Sequence, residues 1–256
     1  MATLIQEHEV PVKRMIPPPE DPQGFDLNGG IAEIMSTRFN PDIVLVDTAV
    51  IAAAPVRFFL AGIGDAISKK FEVERAVAAG GLNFFKGRAC RATLTLARSC
   101  YDEIRAHAAD AVAAVRRQAV TDAVERVVEA NILLSGLGFE SGGLAAAHAL
   151  TRGFTALPQT HSALHGETVA FGLIVQLVLE GRPAAFIAEL LAFYRAIGLP
   201  CTLRQLGLAE PDEASLTAIA APSCRAPHMA NMARTVDEAQ LVAALREADA
   251  LGRAAG

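Results

Sequence analysis

Between Gly142 and Glu180 the chain reads GGLAAAHALTRGFTALPQTHSALHGETVAFGLIVQLVLE, a stretch almost free of charge and crowded with Gly and Ala. A segment this apolar cannot lie along water, and its small side chains let backbones approach closely, so it dictates buried, tightly packed helices. The whole chain agrees: 52% of its residues are hydrophobic, 20% are charged and only 5% are aromatic, a balance that suits helices better than a β-sandwich. The expected fold class is therefore mainly α. No internal repeat is visible. Two stretches, AVIAAAPVRFFLAGIG and TVAFGLIVQLVLEG, approach membrane character, but Pro55 and Arg57 interrupt the first and Gln176 the second. Neither reaches the ~18 uninterrupted apolar residues of a spanning helix, so no membrane partner is expected.

Charge excludes another class. The formal net charge is −5, with Arg, Glu and Asp evenly mixed, so there is no basic stripe for a nucleic-acid partner. The cysteines Cys90, Cys100, Cys201 and Cys224 form no CxxC pair and are too sparse to staple the chain, which fits a reducing cytoplasm. The opening MATLIQEHEVPVKR carries charges where an export signal needs an apolar run.

Residues 1–40 are expected to be an irregular, remodelled segment: VPVKRMI suggests a short strand, but PPPEDPQGFDLNGG has loop composition. Residues 41–256 are expected to form one all-α metal-binding domain that opens with a short buried strand at Ile43 to Val46, with Asp42 and Asp47 at its ends. From Pro55 the period turns helical as far as Gly80-Gly81, and a second helix spans roughly Arg88 to Arg117. A third opens at Thr121, with Asp122 and Glu125 in its first turn, and is expected to break at Gly136, Gly138, Gly142 and Gly143. Further helices are expected over GLAAAHALTRGF, from His165 to Glu180, over AAFIAELLAFYRAIG, and in two C-terminal segments flanking an irregular PSCRAPHMANM loop.

Imidazoles inside the apolar stretch need a reason. Two neutral histidines and a carboxylate make a site for Zn²⁺ or Fe²⁺ with positions left for a substrate, and His148 and His165 are candidates for the first two. Asp65, Glu72, Glu140 and Glu167 are the carboxylates in or beside apolar segments; Asp65, in the GIGDAI turn, is favoured because a charge there is costly unless neutralised. His161 and His165 stand four apart in HSALH, but Ser162 occupies the place of the glutamate that a zinc-protease helix requires.

These same residues carry a resemblance. VLVDTAVIAAAPVRFFLAGIGDAISKKFE, GFESGGLAAAHAL and TALPQTHSALHGETVAFG resemble the glycerol dehydrogenases of the iron-type (metal-dependent) alcohol dehydrogenase family, from about Asn40 to about Leu206, with Asp47, Pro55, Gly62, Asp65 and Glu72 at the family's spacing. The resemblance implies the helical metal-binding domain of the dehydroquinate synthase-like fold, with Asp65, His148 and His165 as ligands of one divalent metal, usually Zn²⁺, with Fe²⁺ as the alternative. It further implies a small polyol substrate, hydride transfer to NAD, and His161 as a proton-relay candidate near the substrate. Phe139 and Gly142 are expected to line the same cleft. A dehydroquinate-synthase-like lyase is disfavoured, since that resemblance places Glu where Asp65 stands. His228 is read as a loop residue.

The family also carries an upstream α/β domain whose glycine-rich loop holds the pyrophosphate. AGIGDAI, GFESGG and NGGIAEI do not reproduce that loop in a strand–turn–helix setting, so the NAD-binding domain is expected to be absent and the chain truncated. Two functions follow as expectations. One is a glycerol-dehydrogenase-like oxidoreductase; the other is a non-catalytic helical metal-binding or oligomerisation module. An exposed apolar face on Ala-rich helices suggests a homo-oligomer.

Overall fold

The computed structural model describes residues 43–254. The expectations for residues 1–40, including the VPVKRMI strand and the NGGIAEI turn, lie outside them, as does the role of Asp42. The chain divides after Asp47 into two units. Of the first, residues 43–47 are described, and they correct the expected strand: they form no regular structure, and Ile43, Val44 and Leu45 are each at least 60% exposed. A strand persists only where a neighbour pairs its N–H and C=O groups, and no strand exists among the described residues to do so.

The second unit is helical. Its α-helices are α1 (Thr48–Ala53), α2 (Val56–Ala66), α3 (Lys69–Ala78), α4 (Arg91–Val115), α5 (Asp122–Glu129), α6 (Ser135–Gly142), α7 (Ala146–Thr155), α8 (His165–Leu179), α9 (Ala184–Ile197), α10 (Glu213–Cys224) and α11 (Glu238–Ala254). None of these helices is long and apolar enough to cross a membrane. Local chemistry sets the boundaries. Pro55 immediately precedes α2, the Thr121 hydroxyl accepts a hydrogen bond from Val124 N–H at the start of α5, and the Asp212 carboxylate does the same for Ser215 N–H at α10. At the end of α9, Gly198 takes φ +103°, a left-handed turn that a side chain would strain.

Two helix expectations needed revision. The run from Pro55 to Gly80 is two helices, interrupted at Ile67 and Ser68. Of the four glycines expected to break the chain after α5, Gly143 does so, at φ +95°, but Gly136, Gly138 and Gly142 do not: the chain continues through a π-helical turn, Ala130–Leu134, into α6. A helical glycine costs only about 1 kcal/mol relative to alanine, and close packing offsets that. A side chain at Gly142 would run into Val73 and Thr93.

The core sits around α8, which is buried on every side and packs against α2, α7 and α11, while α7 also packs on α10. Glycine makes the crossings close. A methyl group at Gly166 would overlap the Ala61 carbonyl of α2, and one at Gly172 would lie 2.7 Å from the Ala147 carbonyl of α7. Each contact involves a residue adjacent to a histidine of interest: Gly166 follows His165, and Ala147 precedes His148. The small-residue pattern therefore does more than fill space, because it holds the backbones that carry the imidazoles against their neighbours.

Candidate metal centre

Asp65 lies in the last turn of α2, His148 in the first turn of α7 and His165 at the first position of α8. One donor atom from each lies within 4.8 Å of the other two. Asp65 Oδ1 is 3.0 Å from His148 Nε2 and 3.5 Å from His165 Nε2, and the two imidazole rings are tilted at 59° with centroids 5.4 Å apart. The structure thus brings together the three residues singled out as ligands.

His148 is held by a second carboxylate. Glu72, fully buried in α3, places Oε2 2.6 Å from His148 Nδ1, while its Oε1 accepts hydrogen bonds from the N–H groups of Ala145 (2.9 Å) and His148 (3.0 Å). The Ser68 hydroxyl donates to Oε2 at 2.9 Å. Gln176, buried in α8, accepts from Ala147 N–H at 3.1 Å. Helix α7 has no side-chain cap of its own, so Glu72 and Gln176 satisfy its first N–H groups from other helices, and the negative charge meets the positive end of the helix. Burial alone would raise the Glu72 pKa, but His148, these hydrogen bonds and Lys69 bring it down to about 2. An ionised Glu72 accepts a hydrogen bond from Nδ1–H and leaves Nε2 facing Asp65 and His165, the arrangement a metal-binding imidazole needs. In this respect the donor set fits a divalent cation.

Burial would likewise raise Asp65, yet the Lys69 ammonium and the hydrogen bonds to His148 and His165 hold its carboxyl well below the usual range. For His148, burial lowers the pKa, and the Glu72 charge together with both carboxylate hydrogen bonds outweighs it, giving a net rise. Lys69 is the residue that sequence reasoning missed. Its side chain is 1% exposed, with Nζ 2.9 Å from Asp65 Oδ1 and 3.3 Å from His148 Nε2. The spacing of four residues from Asp65 was the available signal, since residues so spaced face one another across a helical turn.

The other candidates fall in different places. Glu167 pairs with Arg57, Nε to Oε1 and Nη2 to Oε2 both at 2.6 Å, and accepts Leu164 N–H at 2.8 Å, so it fastens the start of α8 to α2. His161 directly follows the 3₁₀ turn Pro158–Thr160 and is exposed, its Nε2–H donating to the Thr155 carbonyl at 3.1 Å. Phe139 packs edge-on against Phe84, whose ring lies 5.8 Å from that of His228. Burial lowers the His228 pKa below its ordinary value, and the residue sits in a 3₁₀ segment, Pro227–Asn231.

No family model matches the chain. Individual proteins do. It is 46% identical to the glycolaldehyde reductase of Halobacterium salinarum, over 84% of this chain and 59% of that protein, and 44% identical to the glycerol dehydrogenase of Citrobacter freundii, over 88% of this chain and 62% of that protein. The crystal structure of glycerol dehydrogenase from Schizosaccharomyces pombe matches at TM-score 0.83 and 38% identity, covering 85% of this chain and 57% of that one. The chain is homologous to the C-terminal portion of the glycerol dehydrogenases. It carries the helical fold of that portion of the iron-type alcohol dehydrogenase family and spans about three-fifths of the length of these relatives.

Proposed function

We propose that this chain supplies the metal-binding part of a glycerol-dehydrogenase-like oxidoreductase, with Asp65, His148 and His165 holding one divalent cation, Zn²⁺. The observation that carries this reading is the convergence of three donor atoms within 4.8 Å, with His148 Nδ1 committed to a buried, ionised Glu72. When bound, such a cation acts as a Lewis acid toward a substrate hydroxyl, easing loss of its proton and of hydride from the carbon that bears it. The chain's own residues prepare that chemistry. Glu72 orients His148, the α2–α8 and α7–α8 crossings fix the distances, and the exposed side of the site at His165 admits a small polyol. His161 is the proton-relay group in this reading.

The substrate class draws on the names of the relatives, glycerol dehydrogenase and glycolaldehyde reductase. The hydride acceptor is NAD. The described residues contain no strand, and so no sheet that would present a pyrophosphate loop. The same metal site would serve a non-catalytic metal-binding or oligomerisation module, and turnover separates the two readings. The protein is further proposed to be cytoplasmic, its four cysteines unpaired, and to be a homo-oligomer, since Ile132, Leu133 and Leu137 leave an apolar face exposed around the π-turn.

The test is metal content by mass spectrometry, followed by NAD titration and glycerol-dependent NADH formation. One zinc per chain is expected, and its absence under zinc supplementation would sink the site. Metal with no nucleotide binding or turnover would favour the non-catalytic module. Size-exclusion chromatography giving a clean monomer would remove the oligomer.

A further inference from the structure

Lys69 opens α3 and is among the largest side chains fully shut off from solvent. Its ammonium nitrogen lies 2.9 Å from Asp65 Oδ1, 3.0 Å from the Asp65 main-chain oxygen and 3.3 Å from His148 Nε2. All three atoms belong to proposed ligand residues, and two of them, Oδ1 and Nε2, are the proposed donor atoms themselves. An ammonium and a divalent ion compete here, because both are attracted to Oδ1, and an ammonium 3.3 Å from Nε2 would repel a cation bound to that nitrogen. A buried lysine is costly unless its charge is paired, and here its partners are the ligands themselves.

We propose that Lys69 is a built-in counter-cation: it holds Asp65 and His148 assembled when no ion is bound, and it weakens the binding of the ion that must displace it, keeping the metal exchangeable. The inference rests on the reading of Asp65, His148 and His165 as a metal site. When an ion enters, the ammonium gives up Oδ1 and Nε2 but keeps the Asp65 carbonyl, at the C-terminal end of α2 where the helix dipole favours a cation. It then remains close enough to repel the ion.

The experiment measures zinc affinity at fixed pH by competition with a chromophoric chelator, and thermal unfolding with and without zinc. It compares the unaltered chain, Lys69→Met, Lys69→Gln and, as a control, Lys70→Met, whose ammonium instead reaches Glu74 at 3.3 Å. Both Lys69 variants are expected to bind zinc at least about tenfold more tightly, with a larger zinc-induced rise in Tm and a lower metal-free Tm, while the control stays within about twofold. A lysine that only supports the fold would lower Tm in both forms and leave zinc affinity where it was, which overturns the inference. If Lys69→Met does not fold, Lys69→Gln, which keeps a hydrogen-bond donor, decides the question. Zinc bound by the unaltered chain with no gain in either variant overturns this inference alone; zinc bound by none of the proteins overturns the metal reading as well.

Discussion

His148 and His165 aim Nε2 at the same Asp65 oxygen, yet the protein builds them in opposite ways. His148 is 10% exposed, its Nδ1 held by Glu72, and its own helix is capped by that same carboxylate. His165 is 61% exposed and stands at the open start of α8, located by backbone contacts at Gly166 rather than by a fully buried carboxylate of the kind Glu72 offers His148. One half of the site is part of the core. The other is presented to solvent from a fixed backbone. In the proposed metal site the contrast separates two jobs: the buried half is expected to couple metal binding to stability, and the exposed half to contribute affinity without supporting the fold.

Replacing Glu72 by Ala tests the buried half and should have the largest effect. The substitution leaves His148 Nδ1 and the N–H groups of Ala145 and His148, at the start of α7, buried without an acceptor, and should destabilise the metal-free chain by about 3–5 kcal/mol in urea unfolding. Zinc affinity should fall about 10- to 100-fold, because the imidazole loses the partner that orients it. Unfolding at an unchanged urea midpoint would mean that the buried half is no more integral to the fold than the exposed one.

Gly166→Ala comes next. The added methyl meets the Ala61 carbonyl, a backbone atom that cannot swing away, so α8 must shift from α2 at a cost of about 1–3 kcal/mol. His165 moves with it, so zinc affinity should fall as stability does. The exposed half would then depend on its backbone crossing, although no fully buried carboxylate braces its ring.

His165→Ala removes the ring and keeps that crossing. Metal-free stability should change by no more than about 0.5 kcal/mol, since the side chain is largely in water, whereas stoichiometric zinc should be lost. Together with Glu72→Ala this is the sharpest form of the contrast. A large loss of metal-free stability would show the exposed imidazole to be structural.

The three proposed ligands were easier to read from sequence than the groups that brace them. His165, His148 and Asp65 each say little alone in an apolar, Gly-rich setting, and it was the family resemblance that singled out all three together. The helices were legible because their apolar period and their caps are local signals, as at Thr121 and Gly198. What failed depended on tertiary partners. The run at Ile43 to Val46 has strand composition but no pairing strand among the described residues, and the glycines of α6 resemble helix breakers until Val73, Thr93 and Ala97 are seen against them. Glu72 appeared as one carboxylate among several, and only the fold shows that it caps α7 from α3. Lys69 drew no reading from sequence, since burial at a helix crossing is not written in its neighbours.

The smallest expected effect probes whether the exposed half has a hidden brace. Arg57 forms two 2.6 Å contacts with Glu167, two residues beyond His165, and its Nη2 also donates to the Ser162 carbonyl at 2.7 Å, which makes it a candidate to fix the start of α8 as Glu72 fixes α7. The physics argues otherwise. The Arg57 side chain is 54% exposed, and solvent screening reduces such a pair to at most about 1 kcal/mol even with two-pronged geometry. Glu167 keeps its bond from Leu164 N–H without the arginine, and the contact of Gly166 with Ala61 is unaffected. Arg57→Ala should therefore cost about 1 kcal/mol or less, a loss that shrinks further at ~1 M salt, and should leave zinc affinity within about twofold. A tenfold drop in affinity would identify Arg57 and Glu167 as a counterpart to Glu72, and the two imidazoles would then differ in exposure but not in how they are held.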